Sequence, residues 1–141
     1  MSELPSGTVT FLFTDLEGST RLWEERAHAM RAAQAGHDEI LRASIAQHDG
    51  HVVKSTGDGF HAAFAIAADA VGAALDAQLA LAGASWPEVG DLRVRMGLHT
   101  GVADVRDGDY FGSALNRAAR LMSVAHGGQV VVSQVTEELV R

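Results

Sequence analysis

The stretch TVTFLFTDLEGST, residues Thr8 to Thr20, decides how the rest of the chain is read. Thr8 to Thr14 is rich in β-branched and aromatic residues and follows Pro5–Gly7, the signature of a buried strand. Apolarity stops at Asp15, and an acidic, glycine-containing turn then leads to a helix predicted to start near Ser19. A carboxylate at that seam has two readings. It caps the helix, or it is a metal ligand beside a helix N-terminus able to hold an anion.

Outward from this strand the chain alternates between β and α patterns. A helix is predicted over Ala29 to His48, where His37, Leu41, Ser44, Ile45 and His48 recur at helical spacing before Gly50. His51 to Thr56 and Phe60 to Phe64 read as strands joined by the turn Gly57-Asp58-Gly59. Ile66 to Leu81 reads as an alanine-rich helix with Ala67, Ala70, Val71, Ala74, Leu75, Gln78 and Leu79 on one face. After a loop from Gly83 to Gly90, Leu92 to His99 alternates as a half-buried strand, with Gly101 to Arg106 expected as its partner. A helix from Gly112 to Ala125, a strand from Gln129 to Ser133 and a helical end from Gln134 to Val140 complete the chain. This order implies one α+β domain over residues 1–141, with helices packed over a mainly antiparallel sheet.

Composition narrows the function. A net charge of −7 argues against a surface for nucleic acid or anionic membranes. The absence of cysteine excludes disulfides and thiolate metal sites and fits a reducing compartment, so a cytoplasmic location is expected. No apolar run approaches the roughly 20 residues of a membrane span. A small anionic substrate, served by local positive charge or by metal, remains open.

Three groups of residues carry candidate chemistry. Asp15 and Asp58 converge at one end of the sheet if their strands are neighbours, and hard cations such as Mg²⁺ or Mn²⁺ take one or two carboxylates plus substrate phosphates. The backbone N–H groups of Leu16, Glu17, Gly18, Ser19 and Thr20 suit those phosphates. Asn116 and Arg120 lie one turn apart on a helix flank, where an amide and a guanidinium orient a sugar and stabilise charge on phosphate. Each feature also has a plainer reading, as a cap, a turn or a solvated flank, and spacing alone does not overturn it. His48 and His51 straddle a helix end and do not suit a metal. His99 and His126 read as packing or turn residues, Arg117 as solvated, and Trp23 as a core anchor for the first helix. Tyr110 and Phe111 line either a pocket or an interface, and neither Ser113 nor Thr100 has a base partner for nucleophilic catalysis.

Together, FTDLEGSTRLWE, KSTGDGF and DYFGSALNRAARL, with RMGLHTG and HGGQVVVS, resemble the catalytic domain of class III nucleotidyl cyclases from Thr8 to Leu139. The resemblance implies a ferredoxin-like sandwich. It also implies that Asp15 and Asp58 bind two divalent cations (Mg²⁺ or Mn²⁺), that Lys54 and Asp109 read the purine, and that Asn116 and Arg120 orient the ribose and stabilise the transition state. Lysine offers only donors and an aspartate carboxylate only acceptors, which complements the N1 and N6 edge of adenine and opposes that of guanine. ATP is therefore the expected substrate and 3′,5′-cyclic AMP with pyrophosphate the expected products. The alternatives are a guanylate or mixed-specificity cyclase, and a nucleotide-binding regulatory domain without turnover. The resemblance further implies a head-to-tail homodimer with shared sites, Asp15 and Asp58 from one chain and the other four residues from its partner. It also implies a final β-hairpin bearing a basic residue, and the 141 residues stop before it.

Overall fold

The computed structural model describes residues 4–141. At its centre β1 (Gly7–Leu16) pairs on one side with β3 (Gly59–Phe64) and on the other with β4 (Val94–Arg106), both antiparallel. The sheet order is β2-β3-β1-β4-β5, with β2 (His51–Thr56) and β5 (Asp109–Phe111) at the edges. A short β6 (Val130–Val132) adds in parallel to the first half of β4. The expected α+β sandwich with a mainly antiparallel sheet is what forms.

Period-2 alternation sends the side chains of β1 to two different layers. Leu12 and Leu16 point to α2 (Ala27–Gln47) and α3 (Ala67–Gly83), sharing a core with Met30, Leu41, Ile45, Phe60, Phe64 and Leu98. Val9, Phe11 and Phe13 point to the opposite face, under α4 (Ser113–Val124), with Tyr110, Ala114 and Ala118. Burying each of these large side chains contributes about 1.5–3 kcal/mol. The first helix, α1 (Ser19–Glu25), follows β1 directly, and α5 (Gln134–Leu139) docks through Thr136, whose hydroxyl continues a buried chain from Thr10 through Thr100. Among the described residues no helix is long and apolar enough to cross a membrane.

Three expectations change. Leu92–His99 and Gly101–Arg106 do not form a hairpin, because they run as the single strand β4, paired without interruption to β1 from Leu16↔Val94 to Gly7↔Ala103. The reversal comes instead at Asp107-Gly108, with φ of 52° and 75°, the left-handed pair that suits a two-residue hairpin turn and returns the chain as β5. On α3 the buried face is Ala67, Ala70, Ala73, Ala74, Ala77 and Leu81. Leu75 and Leu79 are 54% and 72% exposed and lie off that face. Trp23 is 36% exposed and is no core anchor; its neighbour Leu22 packs on the core instead.

Candidate active site

Asp15 and Asp58 meet at one corner of the sheet. The register places Asp15 opposite Arg95 on β4, and the arginine grips it with both ends of its fork, Nε donating to Oδ1 at 2.7 Å and Nη2 to Oδ2. This hydrogen bond is the main reason the guanidinium is held even more firmly protonated than usual. Asp58 sits in the β2–β3 turn, where its carbonyl accepts from Leu16 N–H at 2.9 Å and its carboxylate from the Ser19 hydroxyl at 3.0 Å. Gly59 is what permits the approach, because a Cβ there would fall 1.8 Å from the Thr14 carbonyl oxygen. The expected phosphate cradle is narrower than the sequence suggested. Leu16 N–H is committed to Asp58, and Glu17 N–H donates to the Arg93 carbonyl at 2.8 Å, so Gly18, Ser19 and Thr20 are what remains of it.

The second group assembles on the α4 face. A single cross-strand row runs Lys54–His61–Phe13–Gly97 over β2, β3, β1 and β4. At its end Gly97 leaves room for the helix backbone: a Cβ there would stand 2.5 Å from Met122 N and 2.8 Å from the Ala118 carbonyl oxygen. Seated on that gap, α4 overhangs the row and encloses a cavity of about 290 Å³, lined among others by Lys54, His61, Asp109, Tyr110 and Asn116. Lys54 Nζ and Asp109 Oδ2 are 3.6 Å apart across it, joining the two edge strands. Tyr110 stands edge-on to Phe11 and donates its hydroxyl to the Pro5 carbonyl, and burial pushes the phenol up to about 12. Phe111 is exposed beneath the Arg106 guanidinium.

The structure thus joins Lys54, Asp109 and Asn116 in one cavity. Arg120 lines a neighbouring open groove of about 590 Å³ with Arg117 and the buried His99, whose pKa is lowered by burial and then by Arg117. Asp15 and Asp58 line neither space. A cavity of about 630 Å³ between α2 and the Trp86 loop holds none of the expected site residues. His48 pairs with Asp76 at 2.6 Å rather than with His51. Two site residues were not singled out from the sequence, Arg95 and His61. The alternation of Gly59–Phe64 puts His61 on the α4 side, whereas the partnership of Arg95 with Asp15 depends on a register invisible in one sequence.

The whole chain, residues 1–141, matches the family described as adenylate and guanylate cyclase catalytic domain. The chain belongs to that family. An uncharacterized protein of Mycobacterium tuberculosis is 44% identical to this cyclase domain over 138 residues, covering 96% of it and 46% of the relative. The domain therefore spans about half the length of such relatives. The adenylate cyclase of the yeast Lachancea kluyveri is 38% identical over 92% of the domain and 8% of its own length. Among solved structures, a Trypanosoma brucei adenylate cyclase in its monomeric state superposes with a TM-score of 0.91 at 31% identity, covering 99% of this domain and 79% of that chain. A monomeric guanylyl cyclase domain from Blastocladiella emersonii shares the fold at 20% identity, with a TM-score of 0.86.

Proposed function

We propose that this domain is an adenylate cyclase that converts ATP to 3′,5′-cyclic AMP and pyrophosphate. The observation that carries the reading is the Lys54–Asp109 pair, 3.6 Å apart in the cavity that Asn116 also lines. An ammonium and a carboxylate so placed can meet the N1 acceptor and the N6 donor of adenine together. Guanine offers the reverse polarity and would leave both groups facing like partners.

The ribose 3′-hydroxyl loses its proton as its oxygen attacks the α-phosphorus, forming the 3′ ester bond while the bond to pyrophosphate breaks, so that pyrophosphate and one proton leave. Asn116 aligns the ribose for that attack, and Arg120, one turn on, stabilises the charge gathering on the α-phosphate. Gly18, Ser19 and Thr20 take the phosphates at the start of α1.

Asp15 and Asp58 would hold two divalent cations, Mg²⁺ or Mn²⁺. Their donor set fits, being hard carboxylate oxygens at one corner. Among the described residues no three acidic or histidine side chains cluster as a metal cage, so substrate phosphates and water would have to complete the shell. Bound there, the cations would lower the pKa of the 3′-hydroxyl and neutralise the triphosphate. Arg95, which donates to both Asp15 oxygens, would yield part of that hold to a bound cation.

The acidic corner and the base cavity do not share a space within one chain, which favours a head-to-tail homodimer. One protomer then supplies Asp15 and Asp58, and its partner supplies Lys54, Asp109, Asn116 and Arg120.

The decisive assay is product formation from ATP and from GTP, each with Mn²⁺ and with Mg²⁺. Cyclic AMP should exceed cyclic GMP by at least about ten-fold. Cyclic GMP as the main product would overturn the base assignment, and nucleotide binding with no product would leave a regulatory domain. For the shared site, Asp15→Ala and Asn116→Ala chains are mixed in equal amounts. Random pairing gives one intact site in each mixed dimer, so about a quarter of the normal activity should return. No recovery would rule out sites built from two chains.

A further inference from the structure

We infer that His61 is a further purine-positioning residue, whose neutral imidazole walls the base cavity and whose protonation expels the nucleotide. The inference rests on the adenine reading of Lys54 and Asp109. It adds a residue that neither motif spacing nor the family resemblance assigned.

The geometry gives His61 a fixed place and a free edge. It lies between Lys54 and Phe13 in the row across β2, β3 and β1. Its ring stacks on Phe13 with centroids 3.8 Å apart and planes 3° from parallel. One ring face is thus pinned against an aromatic partner, and the side chain is only half-buried and lines the cavity. Neither ring nitrogen forms a hydrogen bond among the described residues. A polar edge without a partner, held rigidly in a pocket between apolar walls, is well placed to bond a ligand nitrogen.

Every charged group facing that edge is identifiable. β2 contributes Lys54 and β5 contributes Asp109, while β1 offers only Phe11 and Phe13. From α4 the cavity receives Leu115, Asn116 and Ala119, none of them ionisable, and the Tyr110 phenol is tied to Pro5. Burial first and Lys54 second depress the pKa of His61, with Asp109 opposing, so the ring is neutral at pH 7 and charges only in acid. An imidazolium there would repel Lys54 and compete with it for Asp109, dismantling the pair that holds the base. Nucleotide affinity is therefore constant above the ordinary histidine pKa and falls as the pH drops through the lowered one.

The test is binding of 3′-deoxy-ATP, which lacks the attacking hydroxyl, measured by calorimetry at about pH 7.5 and about pH 5.5. Wild-type protein should bind more weakly at the lower pH, by less than the roughly ten-fold that a histidine of ordinary pKa would give if only the neutral form is competent. His61→Phe keeps a ring to stack on Phe13 but cannot charge, and its affinity should change by less than about 2-fold. Inorganic triphosphate, which has no base, should show one pH dependence in both proteins. An equal loss of 3′-deoxy-ATP in wild type and variant would overturn the inference, as would a difference that persists with triphosphate. Should the variant fail to fold, the wild-type imidazole resonance decides: it must titrate below its usual range and shift on nucleotide binding, and no shift defeats the proposal. Because binding is the readout, pH-dependent binding without cyclic AMP defeats only the turnover reading. PH-independent binding defeats only the role of His61. Failure to bind 3′-deoxy-ATP at any pH defeats both.

Discussion

On one side of the sheet, α2 and α3 lay a floor of alanines and large aliphatics against Leu12, Phe60 and Phe64, and no expected catalytic side chain enters it. On the other side, α4 and the three-residue β5 cover only part of the surface, and the exposed remainder of the row from Lys54 to Phe13 becomes the wall of a cavity. The closed side supplies stability. The half-covered side, together with the acidic corner at the end of β1, is where the proposed chemistry would take place. Substitutions should therefore separate cleanly, with losses of stability from one side and losses of function from the other.

The sharpest test is Asp58→Asn, which removes a charge but keeps the size of the side chain. Cyclase activity should fall at least about 10³-fold, more than about 4 kcal/mol in the barrier, with an unchanged circular dichroism spectrum. A variant that kept most of its activity would break the link between the corner and catalysis. On the closed side, Phe64→Ala empties a fully buried site and should cost about 3–4 kcal/mol in denaturant unfolding, with KM for ATP unchanged in the folded fraction. A changed KM would show that the two sides are coupled. Gly97→Ala probes their boundary. The added methyl meets the α4 backbone at Met122 and Ala118, so it should cost about 1–3 kcal/mol and also lower kcat, because that helix carries Asn116 and Arg120. Smallest is Arg95→Ala, which removes the competitor for Asp15. Mn²⁺ binding to the domain alone should tighten about 5-fold, roughly 1 kcal/mol, and weaker binding would mean that Arg95 organises the corner rather than blocking it.

What the sequence disclosed follows from where the determining forces are local. The alternation in Thr8–Thr14, the glycines around Asp58 and the helical spacing of His37, Leu41 and Ile45 are short-range signals, and the elements they predict formed. The proximity of Lys54 to Asp109 was legible only through family resemblance, since their strands lie at opposite edges of the sheet. Thr100-Gly101 resembles a break and so masks the continuity of β4, while the turn that ends the strand is at Asp107-Gly108. Gly101 is in fact a ladder residue opposite Val9, where its missing side chain accommodates Ala114. On α3 the expected face is rotated rather than reversed: Ala67, Ala70 and Ala74 are buried as read, whereas Leu75 and Leu79 turn to solvent and Ala73, Ala77 and Leu81 take their place. The alternation of Gly59–Phe64 does show which face His61 takes, whereas the pairing of Arg95 with Asp15 depends on a cross-strand register that a single sequence does not display.

The Lys54–Asp109 pair fastens the first edge of the sheet to the last, and both side chains are substantially open to water, at 54% and 38%. An exposed pair of this kind is worth at most about 1 kcal/mol. On the proposed adenine reading it would act as a clasp, firm enough to hold the two groups together and loose enough to open for a base. A base that offers both matching partners replaces the clasp at little cost, whereas a base that satisfies only one leaves the other side chain stranded. If that reading holds, discrimination would begin before any bond to phosphorus is strained, in the ease with which an incoming ring unfastens two residues that already hold each other.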